Sequence, residues 1–395
     1  MNELNLPVYL DNHSTTRVDP RVVEAVIPYL TEHYGNASSK HHALGWFAEA
    51  AVENARRQIA ALIGASAEEI FFTSGATESI NLCLKGVAEG YAHKGNHIIT
   101  VQTEHKAVLD TCKRLERYGI RVTYLPVDRY GMISPGEVER SITDKTILVS
   151  IMMANNEIGT IAPIAEIGDI CRARDVVFHT DAAQAVGKIP VDMKNLSVDV
   201  MSFSAHKMYG LKGIGAVYMR KAPPRLRVTQ QMDGGGHERG LRSGTLNVPA
   251  IVGFGRAAEI AALEMDGEAQ TLLMLRCKLV QGISSELEGT WVNGHPTQRL
   301  PHNANITFTR CTADTVMMEM KDIAVSSGSA CSSAQPEPSH VLKAIGLSRE
   351  DVLSSLRFGL GRFTTEQEID YAVARVVETV RLVRSKLQHY EFVHT

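Results

Sequence analysis

An α/β fold, in which a mainly parallel seven-stranded sheet carries helices on both faces beside a smaller α+β domain, is the class this sequence predicts. Three observations predict it. Short β-rich runs alternate with helical patterns up to about Pro249; the intervening helices show apolar residues at helical spacing; and beyond Pro249 the alternation gives way to one long helical stretch followed by short strand-like pieces. The first helix reads from Leu44 to Ile63, with Leu44, Phe47, Ala51, Val52, Ala55, Ile59 and Leu62 on one face and Gly64 as its stop. Strands follow at Ile70 to Thr73, His97 to Val101, Val122 to Leu125, Ile147 to Met152, Val176 to Thr180, Val200 to Phe203 and Ala216 to Met219. Helical patterns such as Ser79 to Glu89 and Ala107 to Arg117 fall between them, the order expected of a sheet covered on both sides. The long helix reads from Ile251 to Leu287, and strand-like pieces lie around Ile306 and from Ala324 to Ser326. From Glu366 to Leu387, Ile369, Ala372, Val373, Val376, Val377, Val380 and Val383 form the apolar face of a last helix.

A chain of 395 residues with 44% hydrophobic and 22% charged content can bury a large core. Its formal charge of -3 leaves no electrostatic footprint for nucleic acid. No apolar run approaches a bilayer span, and Met1 to Leu10 shows no basic-then-apolar leader, so a cytoplasmic protein without membrane contact is expected. The six cysteines form no C-x-x-C pair; neither a metal site nor a disulfide framework is signalled, and reduced thiols are the expectation for five of them.

The chemistry-bearing residues cluster just after predicted strands. Ser204-Ala205-His206-Lys207 closes one apolar run, and His179-Thr180-Asp181-Ala182-Ala183-Gln184 closes another. A lysine amine and a carboxylate at neighbouring strand ends point to pyridoxal 5'-phosphate (PLP): the amine bonds the carbonyl and the acid keeps the ring nitrogen protonated. Thr73-Ser74-Gly75-Ala76-Thr77-Glu78-Ser79 turns from strand into helix, where N–H groups and the helix dipole suit a phosphate, although simple capping would use the same residues. Thr103-Glu104-His105-Lys106 places an imidazole at the same edge, able to stack on a planar ring, and Asn155-Asn156-Glu157 places a side-chain amide there. Gly234 to Gly240 with Arg242-Ser243-Gly244-Thr245 is a glycine-rich segment that lacks the strand-to-helix context of a phosphate loop. Ser326 to Pro336 surrounds Cys331 with small and polar residues, the composition of an exposed loop whose thiol can ionise. Ser355-Leu356-Arg357-Phe358-Gly359 offers a guanidinium that can grip a carboxylate or close an ion pair.

Read together, Thr103-Glu104-His105, His179 to Gln184, Ser204 to Lys207, Arg242 to Thr245 and Ser327-Gly328-Ser329-Ala330-Cys331 resemble the cysteine desulfurases of the NifS/IscS type. The likeness runs from Tyr9-Leu10-Asp11-Asn12 to Arg362-Phe363-Thr364-Thr365. It implies a fold-type I PLP enzyme and a homodimer, with a large PLP-binding domain at 16–261. A small domain would comprise 1–15 and 262–395 and carry a mobile cysteine loop at about 326–338. By the same resemblance Lys207 is the Schiff-base lysine and proton carrier, Asp181 the pyridinium partner, His105 the ring-stacking residue and Gln184 the donor to the phenolic oxygen. Asn156 is a cofactor-side and substrate-side amide. Ala76, Thr77, Ser204 and His206 cradle the phosphate, and Thr245 completes the cradle of the partner subunit. Arg357 takes the substrate carboxylate and Cys331 the sulfur.

The implied reaction converts L-cysteine to L-alanine and a persulfide, for delivery to an acceptor such as an iron-sulfur scaffold or a sulfur carrier. A selenocysteine lyase or an aminotransferase of the same fold is the alternative, and the aminotransferase would not need Cys331. His13 and Ser14 depart from the commoner pattern of the first motif, and the segment after Leu387 is short beside that of relatives that dock a scaffold there.

Overall fold

The structure, a computed structural model, describes residues 4–223, 225–327 and 338–394. The strands are β1 (Val8–Tyr9), β2 (Ile70–Thr73), β3 (His97–Val101), β4 (Arg121–Leu125), β5 (Thr146–Ser150), β6 (Val177–Asp181) and β7 (Val200–Ser204). They continue with β8 (Gly215–Met219), β9 (Thr290–Asn293), β10 (Asn303–Phe308), β11 (Ile323–Ala324), β12 (Ser326–Ser327) and β13 (Ser355–Gly359). The helices are α1 (Pro20–Thr31), α2 (Ala43–Leu62), α3 (Ala76–Gly90), α4 (Lys106–Glu116), α5 (Pro135–Ser141) and α6 (Ile164–Ala173). After them come α7 (Val248–Glu286), α8 (Ala313–Glu319), α9 (His340–Ala344), α10 (Arg349–Leu353) and α11 (Glu366–His394).

Seven strands form one sheet in the order β2-β8-β7-β6-β5-β3-β4, parallel except for β8, which runs against both its neighbours. The predicted sheet is therefore present. Successive residues of its strands enter opposite cores: Val149, Phe178 and Met201 pack with α2, α6 and the start of α7, whereas Leu148, Val177 and Val200 pack with α3 and α4. Burial on both faces explains why these strands read as continuous apolar runs. The run expected to Met152 leaves the regular ladder at Ser150, because the Met152 N–H is taken at 2.6 Å by the Glu104 carboxylate.

A second, antiparallel sheet has the order β12-β13-β10-β9, and β1 pairs with β11. Leu272, Leu275, Leu279 and Ile283 of α7 and Ile369, Val376 and Val380 of α11 pack against it. The helix expected from Ile251 begins at Val248, where Asn247 caps it by accepting from the Ala250 N–H at 3.2 Å and Pro249 sits in the first turn. Its 39 residues, about 58 Å of helix, belong to the first core through Ala261 and to the second from Leu272. Helix α1, which the apolar spacing did not single out, starts on the Asp19-Pro20 cap, with Asp19 accepting from the Arg21 N–H.

The glycine-rich segment from Gly234 covers the outer edge of β2 through Glu238. Glu238 accepts from the Phe72 N–H at 2.6 Å and from both Nη atoms of Arg56 at 2.9 and 2.8 Å, while Arg56 and Arg239 donate to the Ile70 carbonyl. An edge that would otherwise offer open backbone groups is thereby closed. Both Arg56 and Glu238 are buried. Glu238→Ala leaves that guanidinium with only the exposed Glu53 carboxylate, 3.0 Å from its Nε, as counter-charge and is expected to destabilise the fold by about 3 kcal/mol, whereas Arg56→Met with Glu238→Leu recovers most of the loss. Denaturant melts of the single and double variants check this.

Candidate active site

The carboxyl ends of β2, β3, β5, β6 and β7 open onto one cavity of about 1400 Å³. Lys207, Asp181, His105, Asn156, Gln184, Ala76, Thr77, Ser204, His206 and Arg357 all line it, so residues spread over nearly 300 positions converge there. Two predicted residues do not join them. Thr245 is exposed and lines no part of this cavity, and Cys331 lies outside the described residues.

Lys207 follows the end of β7 on a short 3-10 turn. Its Nζ donates to the carbonyls of His13 and Ser14, the latter at 2.8 Å. Carbonyls cannot offset an ammonium charge as a carboxylate would. Burial, reinforced by Arg357, lowers the amine from 10.5 to about 8, against the pull of Asp11 and Asp181. Asp181 ends β6, one strand over, and among the described residues its carboxylate accepts only the Ala183 N–H, at 2.9 Å. Burial pushes this carboxyl above its ordinary range, although His105 and Lys207 pull it down. A buried acid with one neutral donor is a site prepared for a cation.

At the other end of the cavity α3 begins on Gly75 with no side-chain cap, leaving the first-turn N–H groups of Ala76 and Thr77 open to an anion. Gly75 has φ of 155°, a value that needs glycine. A Cβ on Gly215 of β8 would stand 2.6 Å from the Gly75 Cα, so this pair of glycines lets the helix start lie directly on the strand. Ser204 bonds the Ile214 carbonyl at 3.2 Å. His206 contacts the Thr15 hydroxyl at 3.2 Å, and burial together with Lys207 and Lys212 lowers its ring to about 4.

His105 caps α4, its Nδ1 accepting from the Ala107 N–H at 3.1 Å. Asn156 presents its side chain to the cavity while its carbonyl accepts from Arg357 Nη1 at 3.1 Å. Arg357, on β13, is buried rather than closing a surface ion pair. Its Nη2 meets Asp11 at 2.9 Å and the Ser14 hydroxyl at 2.7 Å, while its Nε has no partner among the described residues. These contacts place the first motif, Asp11 to Ser14, on the cavity wall. His13 in particular is fully buried between Gln184 and Asn303, at 2.9 and 3.1 Å. Sequence reading marked His13 only as a departure, quoted Glu157 beside Asn156 without a role and missed Asn303; an isolated histidine next to a strand carries no signal of which distant residues enclose it. Burial raises Glu157 to about 7, with Ser339 and Arg357 acting the other way.

The donor set suits PLP. An open helix start and hydroxyls can take its phosphate, the buried Asp181 a ring cation, and Lys207 its carbonyl. The class-V aminotransferase profile matches residues 8–372. The chain belongs to that family. Class-V aminotransferases of the cysteine desulfurase kind depend on PLP, in agreement with the cofactor read from the sequence. The chain is 55% identical over 390 residues, 99% of its length and 96% of the relative's, to "Cysteine desulfurase IscS" of Anaeromyxobacter dehalogenans (strain 2CP-C). It is 52% identical over 384 residues, covering 97% and 93%, to the protein of the same name from Rickettsia typhi. Among solved structures a "NIFS-LIKE PROTEIN" superposes with a TM-score of 0.89 at 41% identity, covering 95% of this chain and 99% of that one. "SspA in complex with cysteine" superposes with 0.80 at 37% identity, covering 91% and 100%. None of these is named a selenocysteine lyase. The resemblance to NifS and IscS and the fold-type I architecture both stand.

Proposed function

We propose that this class-V aminotransferase is a PLP-dependent cysteine desulfurase, which takes sulfur from L-cysteine, releases L-alanine and leaves a persulfide on Cys331. The observation that carries this reading is the pairing, in one cavity, of a half-buried lysine and a buried aspartate at adjacent strand ends with the residues that flank the cysteine segment. Ser326 and Ser327 on one side and Pro338 and Ser339 on the other line that cavity. Cys331 is four residues from Ser327, within about 14 Å of extended chain. None of Cys83, Cys112, Cys171, Cys277 and Cys311 lines the cavity, and burial pushes the Cys83 and Cys112 thiols up to about 12.

PLP, when bound, supplies an electron sink for the charge left at the substrate α carbon. Ala76, Thr77, Ser204 and His206 would hold its phosphate, with Thr245 contributed from the partner subunit; Asp181 would serve the ring nitrogen, His105 the ring face and Gln184 the ring oxygen. Arg357 orients the substrate carboxylate, aided by Asn156. Neutral Lys207 Nζ takes the proton from the substrate α carbon. The Cys331 thiolate attacks the substrate Sγ, the S–S bond forms as the Cβ–Sγ bond breaks, and the electron pair of that bond stays with the carbon and is protonated. One thiol and one cysteine thus give one persulfide and one alanine. Cys331→Ala is expected to abolish alanine formation from cysteine while leaving the absorbance of bound PLP unchanged. Unchanged turnover would favour an aminotransferase instead.

A homodimer accounts for two features. Thr245 is exposed, and Val23, Ile27, Leu30, Trp46 and Phe47 leave α1 and α2 with an apolar outer face. The division into a large domain at 16–261 and a small one at 1–15 and 262–395 follows the passage of α7 from one core to the other. The sulfur goes on to an acceptor protein, an iron-sulfur scaffold or a sulfur carrier. A reducing, cytoplasmic setting suits five described cysteines that form no disulfide, and no helix among the described residues is long and apolar enough to cross a membrane.

A further inference from the structure

From behind the cavity wall to the cavity itself four buried polar side chains follow one another: Arg299, Asn303, His13 and Gln184, exposed by 8%, 0%, 1% and 7%. Arg299 Nη2 lies 3.0 Å from Asn303 Oδ1, Asn303 Nδ2 lies 3.1 Å from His13 Nε2, and His13 Nδ1 lies 2.9 Å from Gln184 Oε1. The direction of each bond follows from groups that can act in one sense only. A guanidinium only donates, so the Asn303 oxygen faces it and the Asn303 nitrogen faces His13. That nitrogen also donates to the Glu157 carbonyl at 3.1 Å, which accepts only, and the same amide orientation results. His13 Nε2 must then carry its lone pair, and the ring proton sits on Nδ1, directed at the Gln184 oxygen. Independently, Gln184 Nε2 donates to the His13 carbonyl at 3.1 Å. Both ends agree on one arrangement, in which the Gln184 NH₂ keeps a second proton and its oxygen is held away.

The ring of His13 is fixed as well as its tautomer. His302 stacks on it with centroids 4.5 Å apart and 25° between planes, and a Cβ on Gly359 would come within 2.8 Å of His13 Cδ2. Burial, then the charges of His302, Arg357 and Lys207, hold the ring well below the ordinary histidine range, against the Gln184 bond. The neutral ring is the form that the order of donors requires. A charged or flipped ring would break the order of donors.

We propose that His13 is a positioning residue: the chain from Arg299 through Asn303 and His13 holds Gln184 with an N–H, and never its carbonyl, available to the anionic ring oxygen of PLP. This rests on reading the cavity as the PLP site. A free Gln side chain could turn its oxygen toward that anion and repel it; the His13 ring removes that choice without touching substrate.

The test is a pH titration of the absorption band of the PLP-loaded protein, which needs no turnover. A donor to the ring oxygen weakens that oxygen's hold on the proton shared with Lys207 Nζ, so Gln184→Leu is expected to raise the midpoint by about one pH unit. His13→Phe, which keeps a flat ring without either nitrogen, should raise it in the same direction by at least half as much. The double variant should match Gln184→Leu alone, because the two residues act as one unit. His13→Asn, whose amide nitrogen can stand in for Nδ1, should restore the native midpoint, a rescue that a merely space-filling role would not give. Should His13→Phe fail to fold, Asn303→Leu frees the same ring from behind the cavity wall and is expected to shift the midpoint the same way. A native midpoint in His13→Phe or Asn303→Leu, or additive shifts in the double variant, overturns the proposal. A native midpoint in Gln184→Leu overturns instead the placement of Gln184 at the cofactor.

Discussion

Lys207→Ala is expected to lower cysteine turnover roughly a thousandfold or more, since it removes both the covalent anchor of PLP and the base at the substrate α carbon. The pH behaviour of the native chain follows from the same amine. Its pKa is lowered to about 8, chiefly by burial, so the neutral form grows as pH rises and levels off above that value. Each unit below 8 costs about tenfold in neutral amine, leaving about one part in a hundred at pH 6. The rate at which apo-protein takes up PLP, followed by absorbance from pH 6 to 9, should rise steeply and then flatten near 8. A flat profile over that range would mean that the amine is not the reacting group.

Arg357→Ala is expected to lower kcat/KM for L-cysteine by a hundredfold or more, mostly through KM, while the PLP content stays native. The guanidinium lies against Asp11, Ser14 and the Asn156 carbonyl with its Nε unpaired, so it is held in place before substrate arrives. Removing it takes away the cation that meets the carboxylate and leaves Asp11 with its charge uncompensated, which repels the same carboxylate. Arg357→Lys keeps the charge but not the planar fork, and an intermediate KM is expected. A native KM for cysteine in Arg357→Ala would assign carboxylate recognition elsewhere.

Much of this was legible in the sequence because the signals are local. Seven strands could be read from apolar runs a few residues long, and Lys207, Asp181, His105 and Thr77 announce themselves by following strand ends. An α/β sheet brings such ends to one edge whatever the strand order. What could not be read depends on pairing across long separations. Nothing near Asp11 indicates Arg357, 346 positions on, and nothing near His13 indicates Asn303, 290 positions on. The segment from Gly234 reads only as a glycine-rich turn; its work at the β2 edge rests on Glu238 reaching Arg56, 182 positions back. Helix α7 was foreseen nearly in full, since a long stretch free of strand-like runs declares itself without any distant partner.

That helix has a mechanical consequence. Because a single unbroken run of backbone bonds belongs to both hydrophobic cores, it offers no soft joint about which one half could pivot on the other; an i→i−4 ladder bends only gently. The two cores are coupled as by a stiff axle, so a twist imposed at one end by packing is felt at the other. Adjustments during turnover fall to the short segments around the cavity, leaving the relative bearing of Lys207 and Arg357 set by the fold itself.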